Sequence, residues 1–257
     1  MGLYKIEGVV LRRRNLGEAD RLVTVLSRDR GKLTLVARGA RRPRSRLGGR
    51  LEPCTRFRAL VVEGRSLDLV SQVEVLDARA TLRDDLERMA AATILLELTD
   101  RALADRQPHP DVYQLLEAAL DLIGRGGAHL AWMWYAARLL GATGHRPSIV
   151  RCVACGQRSS GAVAWSVPLG GALHERCRAR DPRAVALPGG AMALLAFLLD
   201  ASPAAVRRLT PPVRDLTAAG EALLAYAEAR WEARLRAPAV AARLAGGALA
   251  VVRAAQD

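Results

Sequence analysis

Up to Asp77 the chain reads as strands, and several of its runs alternate apolar and polar positions with a period of two, the spacing that sends alternate side chains of an extended chain to opposite faces. Tyr4, Ile6, Gly8 and Val10 alternate with Lys5, Glu7 and Val9. Leu22 to Leu26 and Leu33 to Val36 flank Asp29-Arg30-Gly31, a turn signal between two β-rich runs. Thr55, Phe57, Ala59 and Val61 lead into the turn Glu63-Gly64-Arg65-Ser66. Leu67, Leu69, Ser71, Val73 and Val75 then repeat the period-two pattern against Asp68, Gln72 and Glu74. The pattern predicts five short strands, the third and fourth joined by a longer basic segment, and such a set suits a small closed barrel.

Beyond Ala80 the period becomes helical. Thr81, with Asp84 three positions on, is the expected N-cap of a helix whose face carries Leu82, Leu86, Met89, Thr93 and Leu96. A loop from Asp105 to Pro110 ends it, and helices over Asp111 to Ile123 and Ala128 to Leu140 follow, split by Gly124-Arg125-Gly126-Gly127. Trp132, Trp134 and Tyr135 lie together in the latter and read mostly as core. After a small cysteine-bearing segment, Pro188 to Leu199, Pro203 to Leu209 and Pro212 to Leu235 each begin at proline, which fits a first helical turn. An alanine-rich helix from Ala239 to Ala254 is expected last.

Apolar residues are 51% of the 257 and charged ones 25%, a balance that supports a packed core. No uninterrupted apolar run is long enough to span a bilayer; Met89 to Leu96, for one, is stopped by Glu97, and Lys5 and Glu7 interrupt any secretory signal. A cytoplasmic protein with no membrane partner is expected. The net charge of +13 is concentrated: residues 1–60 hold 16 Lys plus Arg against 5 acids, or +11, and the remainder contributes +2. An arginine-rich compositional bias alone does not deplete acids from the same stretch. A polyanion is the partner such a surface meets, nucleic acid first, with an acidic protein or an anionic membrane as alternatives. The densest run, Arg38 to Arg50, has six Arg and no acid among glycines and a proline, and is expected to be a mobile loop that closes over a strand.

Cys152-Val153-Ala154-Cys155-Gly156 and His174-Glu175-Arg176-Cys177 form two ligand pairs at the separation of a two-knuckle site. Three thiolates and one imidazole at such spacing are a structural zinc set, closed to water and therefore without hydrolytic chemistry. A deaminase arrangement is absent, since Glu175 directly follows His174 and no later Cys pair exists. Cys54 reads as a small buried residue or, less simply, as a replacement fourth ligand. No dinucleotide, phosphate-loop or nucleophile-elbow motif occurs, His109, His129 and His145 lack a carboxylate partner, and Asp84-Asp85 suits a helix start. A non-enzyme is expected.

The runs Gly8-Val9-Val10-Leu11, Gly17-Glu18-Ala19-Asp20, Gly31-Lys32-Leu33 and Ala37-Arg38-Gly39-Ala40-Arg41-Arg42 with Ser45 resemble the start of the bacterial RecO recombination-mediator family, as does the Cys152/Cys155 knuckle after a helical stretch. The resemblance implies a multidomain α+β fold: an N-terminal five-stranded OB-fold barrel over residues 1–79, a helical domain over 80–149 and 181–257, and a zinc-binding insertion at 150–180. It also implies binding of single- and double-stranded DNA, annealing of complementary strands, and work with RecR to load RecA onto DNA covered by single-strand-binding protein, whose acidic C-terminal tail is a further partner. Zinc-bearing members of the family usually have Cys where this chain has His174.

In an OB groove the backbone lies against cations while bases stack on exposed rings. Tyr4 and Phe57 are the only rings before Ala80, so contacts to phosphate should dominate. The expected DNA-binding residues are Lys5, Arg12, Arg13, Arg14, Lys32, Arg38, Arg41, Arg42, Arg44, Arg46 and Arg50. The competing reading is a zinc-ribbon adaptor that binds an acidic protein tail and touches DNA incidentally.

Overall fold

A computed structural model describes residues 2–158 and 164–245. Five strands, β1 (Leu3–Leu16), β2 (Asp20–Ser27), β3 (Gly31–Ala37), β4 (Arg56–Val62) and β5 (Asp68–Asp77), close in the order β1-β2-β3-β5-β4. The β3–β5 pair is parallel, through Leu35 with Asp68 and Val36 with Leu69, and the other pairs are antiparallel. This is the OB-type arrangement, and closure leaves no open sheet edge. Strand β1 serves two partners: Leu3–Val9 pair with β4 and Gly8–Leu16 with β2, with a register shift between Val10 and Arg12 that bends the strand.

The barrel interior is filled by Ile6, Val10, Val23, Val25, Leu33, Leu35, Phe57, Ala59, Val61, Val70 and Val73. Val9, Leu11, Leu26 and Cys54 point the other way and join the helical core. Val9, expected on the polar side with Lys5 and Glu7, is therefore buried on a second apolar face. Gly31 has a φ of +69°, and a Cβ there would lie 1.9 Å from the Gln107 carbonyl oxygen. The turn glycine is also the point of closest approach between barrel and helical body.

The helices are α1 (Ala80–Arg83), α2 (Leu86–Ala102), α3 (Pro110–Gly124), α4 (Ala128–Ala142), α5 (Gly189–Asp200), α6 (Pro203–Arg207), α7 (Val213–Arg230) and α8 (Ala237–Ala245). The helix expected from a Thr81 cap is instead two helices. The chain breaks at Asp84-Asp85, and the Asp85 carboxylate accepts from the Arg88 amide at 2.9 Å to cap α2. A short acidic side chain competes for backbone amides and so starts a new helix. Leu86, expected on the apolar face, is accordingly exposed. The helix expected to reach Leu235 stops at Arg230, just before Glu232 adopts a left-handed φ of 48°. The last helix begins at Ala237, and the remainder of the Ala239–Ala254 expectation, from 246 on, lies outside the described residues.

Helix α4 packs between α2 and α7 and is apolar nearly all round, with Trp132, Met133, Trp134 and Tyr135 all buried. Its polar handles are satisfied: the Trp134 indole N–H donates to the Ala201 carbonyl at 2.9 Å, and the Tyr135 hydroxyl lies 2.6 Å from Thr99 Oγ1. Between α4 and α5 sits a small sheet, β6 (Ala164–Ser166), β7 (Gly171–Leu173) and β8 (Val185–Ala186), in the order β7-β6-β8. It is fastened to α7 by Trp165, whose ring meets Tyr226 edge-on at 5.5 Å, and by Arg230, whose guanidinium donates to the Val167 carbonyl at 2.5 Å.

Carboxylates line the seam between barrel and helices. Arg79, buried, donates to the Cys54 carbonyl at 3.2 Å and to Glu117 at 2.8 Å. Lys32 donates to the Asp100 carbonyl at 2.6 Å and lies 3.3 Å from the Asp105 carboxylate. Arg106 donates to the buried Asp68 at 3.0 Å. Removing one partner of a buried pair strands the other. Arg79→Met is expected to destabilise the fold by about 3 kcal/mol in urea unfolding, whereas Arg65→Met, on an exposed turn, should leave the midpoint unchanged.

Candidate nucleic-acid interface and metal centre

In place of the expected mobile loop, the segment after β3 is folded against the barrel end. The Gly39 amide donates to the Asp20 carboxylate at 2.7 Å, the Arg41 amide to the Ala19 carbonyl at 2.9 Å, and the Arg41 guanidinium to the Gly17 carbonyl at 2.7 Å. Arg21 reaches across to the Gly48 carbonyl at 3.1 Å and Arg50 to the Val73 carbonyl at 3.0 Å. Ala40 and Leu51 are buried, and Leu47 packs on the barrel core. The physical reason is that small and apolar residues recur between the arginines, and the glycines provide turns rather than slack.

These bonds bring the loop beside the β1–β2 hairpin tip, where Arg13 and Arg14 lie. Arg38, Arg41, Arg42, Arg44 and Arg46 are exposed there. Among the described residues the side chains of Arg14, Arg38, Arg42, Arg44 and Arg46 form no ion pair and no hydrogen bond. The result is a ridge of uncompensated guanidinium groups, with Glu18 as an exposed acid at the hairpin tip. Arg13 is paired with Glu52.

Other expected residues lie elsewhere. Lys32 is taken up in the seam, and Arg12, half-exposed, is 2.6 Å from Asp100. The Arg50 guanidinium holds the loop to β5. Lys5 is exposed at the opposite end of β1 from Arg14, roughly 30 Å away at about 3.3 Å per residue. Sequence reasoning missed Arg21, which staples the loop and lies 3.6 Å from Glu52; nothing in its local pattern distinguishes it from its neighbours.

Neither ring of the barrel offers a stacking face. Phe57 is fully buried. The Arg30 guanidinium lies 4.1 Å over the Tyr4 ring, and the Tyr4 hydroxyl donates to Asp68 at 2.5 Å. Burial, with the Asp68 carboxylate beside it, holds that hydroxyl protonated far above its ordinary range. The barrel surface here offers charge and no free ring.

The second site is in the insertion. Ligand atoms of Cys152, Cys155, His174 and Cys177 all lie within 4.8 Å of one another. Tetrahedral zinc with bonds of about 2.3 Å to sulfur needs edges of about 3.8 Å, so the four can hold a metal ion with small adjustments. Gly156, at a φ of +72°, makes the knuckle turn, and its amide donates to the Cys152 carbonyl at 2.9 Å. His174 presents Nδ1 to Cys155 Sγ at 3.4 Å, while its Nε2 lies 2.9 Å from the Arg158 carbonyl. That carbonyl accepts only from a protonated Nε2, which leaves the Nδ1 lone pair facing the sulfurs.

Charge at the sulfurs fits a cation. Burial pushes the Cys152 thiol up, but amide groups of His174, Ala154 and Cys155 directed at it more than reverse this and bring it below its ordinary value. The Gln157 amide does the same for Cys155. Cys177 is pushed up, by burial first and then by Cys155 and Cys152 beside it. Two sulfurs favour the thiolate and the third resists a further negative charge, a conflict that a divalent ion removes. Cys54 is far from consideration as a ligand, buried against the helical core with its thiol pushed up to about 11 by desolvation.

The architecture defines a class: an OB-type barrel with a cationic loop ridge, docked on a helical body that carries a Cys3His knuckle. Residues 1–79 match the family model "Recombination protein O N terminal" and residues 83–239 match "Recombination protein O C terminal". Relatives named "DNA repair protein RecO" include one from Symbiobacterium thermophilum, 38% identical over 241 residues, covering 92% of this chain and 95% of the relative. Another, from Bifidobacterium adolescentis, is 40% identical over 207 residues, covering 78% and 83%. The chain belongs to the RecO family of DNA repair proteins. Among the described residues no helix is long and apolar enough to cross a membrane.

If His174 completes the metal set, His174→Ala will bind zinc at least tenfold more weakly than the parent in competition with a chelating dye. An unchanged zinc affinity would remove His174 from the ligand set.

Proposed function

We propose that the chain is a non-catalytic recombination mediator. It binds single- and double-stranded DNA through the arginine ridge, anneals complementary strands, and with RecR helps place RecA on DNA covered by single-strand-binding protein. The observation that carries this reading is the set of unpaired guanidinium groups at one end of the barrel, on a family scaffold whose relatives are named for DNA repair. Arginine presents a planar fork to phosphate oxygens, and the absence of a free ring makes the contact indifferent to base identity. That indifference suits annealing, in which any two complementary strands are accepted. The ridge is held on a folded loop, so little conformational entropy is lost when DNA arrives.

Zinc, in this reading, is structural: when bound it cross-links the turn at Cys152–Cys155 to the turn at His174–Cys177 and leaves no open coordination position. Cys152 is buried among Ala164, Leu173 and Ala184, which is a small core for a segment of this size and one that a metal cross-link would supplement.

Arg41 anchors the loop through Gly17, so the cleanest test spares it. A variant with Arg38, Arg42, Arg44 and Arg46 all changed to Glu should retain the parental unfolding midpoint. Its affinity for a single-stranded oligonucleotide in fluorescence anisotropy at low salt should fall at least a hundredfold. The slope of log K against log salt should shrink by about 3, since about 0.7 counterions are released per single-strand phosphate contact. Unchanged affinity would sink the ridge as the DNA-binding surface.

A further inference from the structure

The charge beyond Leu60 is small in sum but unevenly divided. Residues 61–149 hold 9 Arg against 13 acids, a net of −4. Residues 150–187 hold Arg151, Arg158, Arg176, Arg178, Arg180 and Arg183 against Glu175 and Asp181, a net of +4. The metal-binding segment is thus a second basic island. Three thiolates with one divalent ion subtract a single charge and leave it cationic.

Its acids are occupied internally. Asp181 is buried, accepts from the Ser166 hydroxyl at 2.6 Å and from the Arg183 amide at 3.1 Å. Glu175 lies 3.5 Å from Arg178. Arg151 and Arg176 clasp the knuckle, donating to the Gly156 carbonyl at 3.1 Å and to Gln157 Oε1 at 2.7 Å. Arg158, Arg180 and Arg183 are exposed, and among the described residues their side chains form no ion pair. The three are exposed positions of the same small segment around the knuckle. The Arg158 carbonyl meets the His174 ring at the head of the 3-10 helix Glu175–Arg180, Arg180 ends that helix, and Arg183 is tied to Asp181 directly after it.

This surface is apart from the barrel ridge. The barrel rests on α2 and α3 through Asp100 and Glu117, the insertion rests on α7 through Trp165 and Arg230, and α4 lies between α2 and α7. We infer that the metal knuckle is a second strand-binding surface, on which Arg158, Arg180 and Arg183 contact the phosphates of one DNA strand while the ridge holds another. The inference rests on the ridge being the first DNA surface. It gives annealing a physical basis within one chain: two strands held on one protein are at high effective concentration for each other, without either being read by sequence.

The test uses the full zinc-loaded chain and a triple variant, Arg158→Glu, Arg180→Glu and Arg183→Glu, with zinc content and unfolding midpoint as checks. Native mass spectrometry with two non-complementary oligonucleotides of different mass should show one protein carrying both strands, and the variant carrying one. The variant's affinity for a single strand should change less than threefold, while annealing of complementary strands, followed by energy transfer between end labels, should slow at least tenfold. If the triple variant loses zinc, Arg180→Ala with Arg183→Ala, neither a ligand nor a partner of one, should still slow annealing severalfold. A parent that never carries two strands, or a variant that anneals at the parental rate, overturns the second surface. A parent that binds no strand at all overturns the ridge instead, so the two failures are distinguishable.

Discussion

Burial of β1 on both faces is the constraint from which the rest of the structure follows. Val10 points into the barrel, and Val9 and Leu11 point into the helical core, so one short run of the strand belongs to two hydrophobic interiors. Each such side chain contributes roughly 1.5–3 kcal/mol on burial, and the run as a whole is satisfied by neither barrel nor helices alone. Gly31 completes the constraint, because its missing Cβ lets the Gln107 backbone approach the β2–β3 turn. With one side of the barrel committed to helices, the β1–β2 hairpin tip and the β3–β4 loop are left at the free end. That is where the unpaired arginines gather.

The same docking sorts the charges. Basic residues at the seam meet acids supplied by the helices: Arg12 and Lys32 meet Asp100, and Arg79 meets Glu117. Among the described residues the acids at the free end are few: Glu18 is exposed, Asp20 accepts from the Gly39 amide and Glu52 is paired with Arg13. A chain whose arginines look uniform in composition thus separates into structural cations, paired at the seam, and solvated ones left to an outside anion. Pairs of the first kind hold parts in register more than they add stability, since desolvation offsets much of their attraction. The second kind keep their full attraction for a polyanion, screened only by salt.

Much of this is legible in the residues. Period two and the Asp29-Arg30-Gly31 turn between β-rich runs mark the strands, the proline and glycine punctuation marks most helices, and the Cys-x-x-Cys and His-x-x-Cys pairs mark the candidate metal set. What is not legible has a common physical origin. Val9 and Gly31 look like ordinary strand and turn positions because their second partners, the helical core and Gln107, lie far along the chain. Lys32 and Arg44 are equally basic in sequence, and only the position of Asp100 and Asp105 makes one structural. In loop 38–50 the glycines and the proline suggest slack, while Ala40, Leu47 and Leu51 pack it down. The Asp84-Asp85 pair suits a helix dipole, and Asp85 proves to be the cap that divides one expected helix into two.

A folded, ring-free cationic ridge has a thermodynamic character different from that of a stacking groove. Aromatic platforms gain about 1–3 kcal/mol per base and hold the bases they touch. Such a grip would have to be released before those bases could pair. With Phe57 interior and Tyr4 covered by Arg30, the barrel presents no free ring, so a strand held there by its backbone would keep its base edges and faces free. Under the proposed function, counterion release would supply the affinity, and each contact could be exchanged for another along the strand at little cost. For the function proposed above, the scarcity of exposed rings would be the property that leaves a bound strand available to its complement.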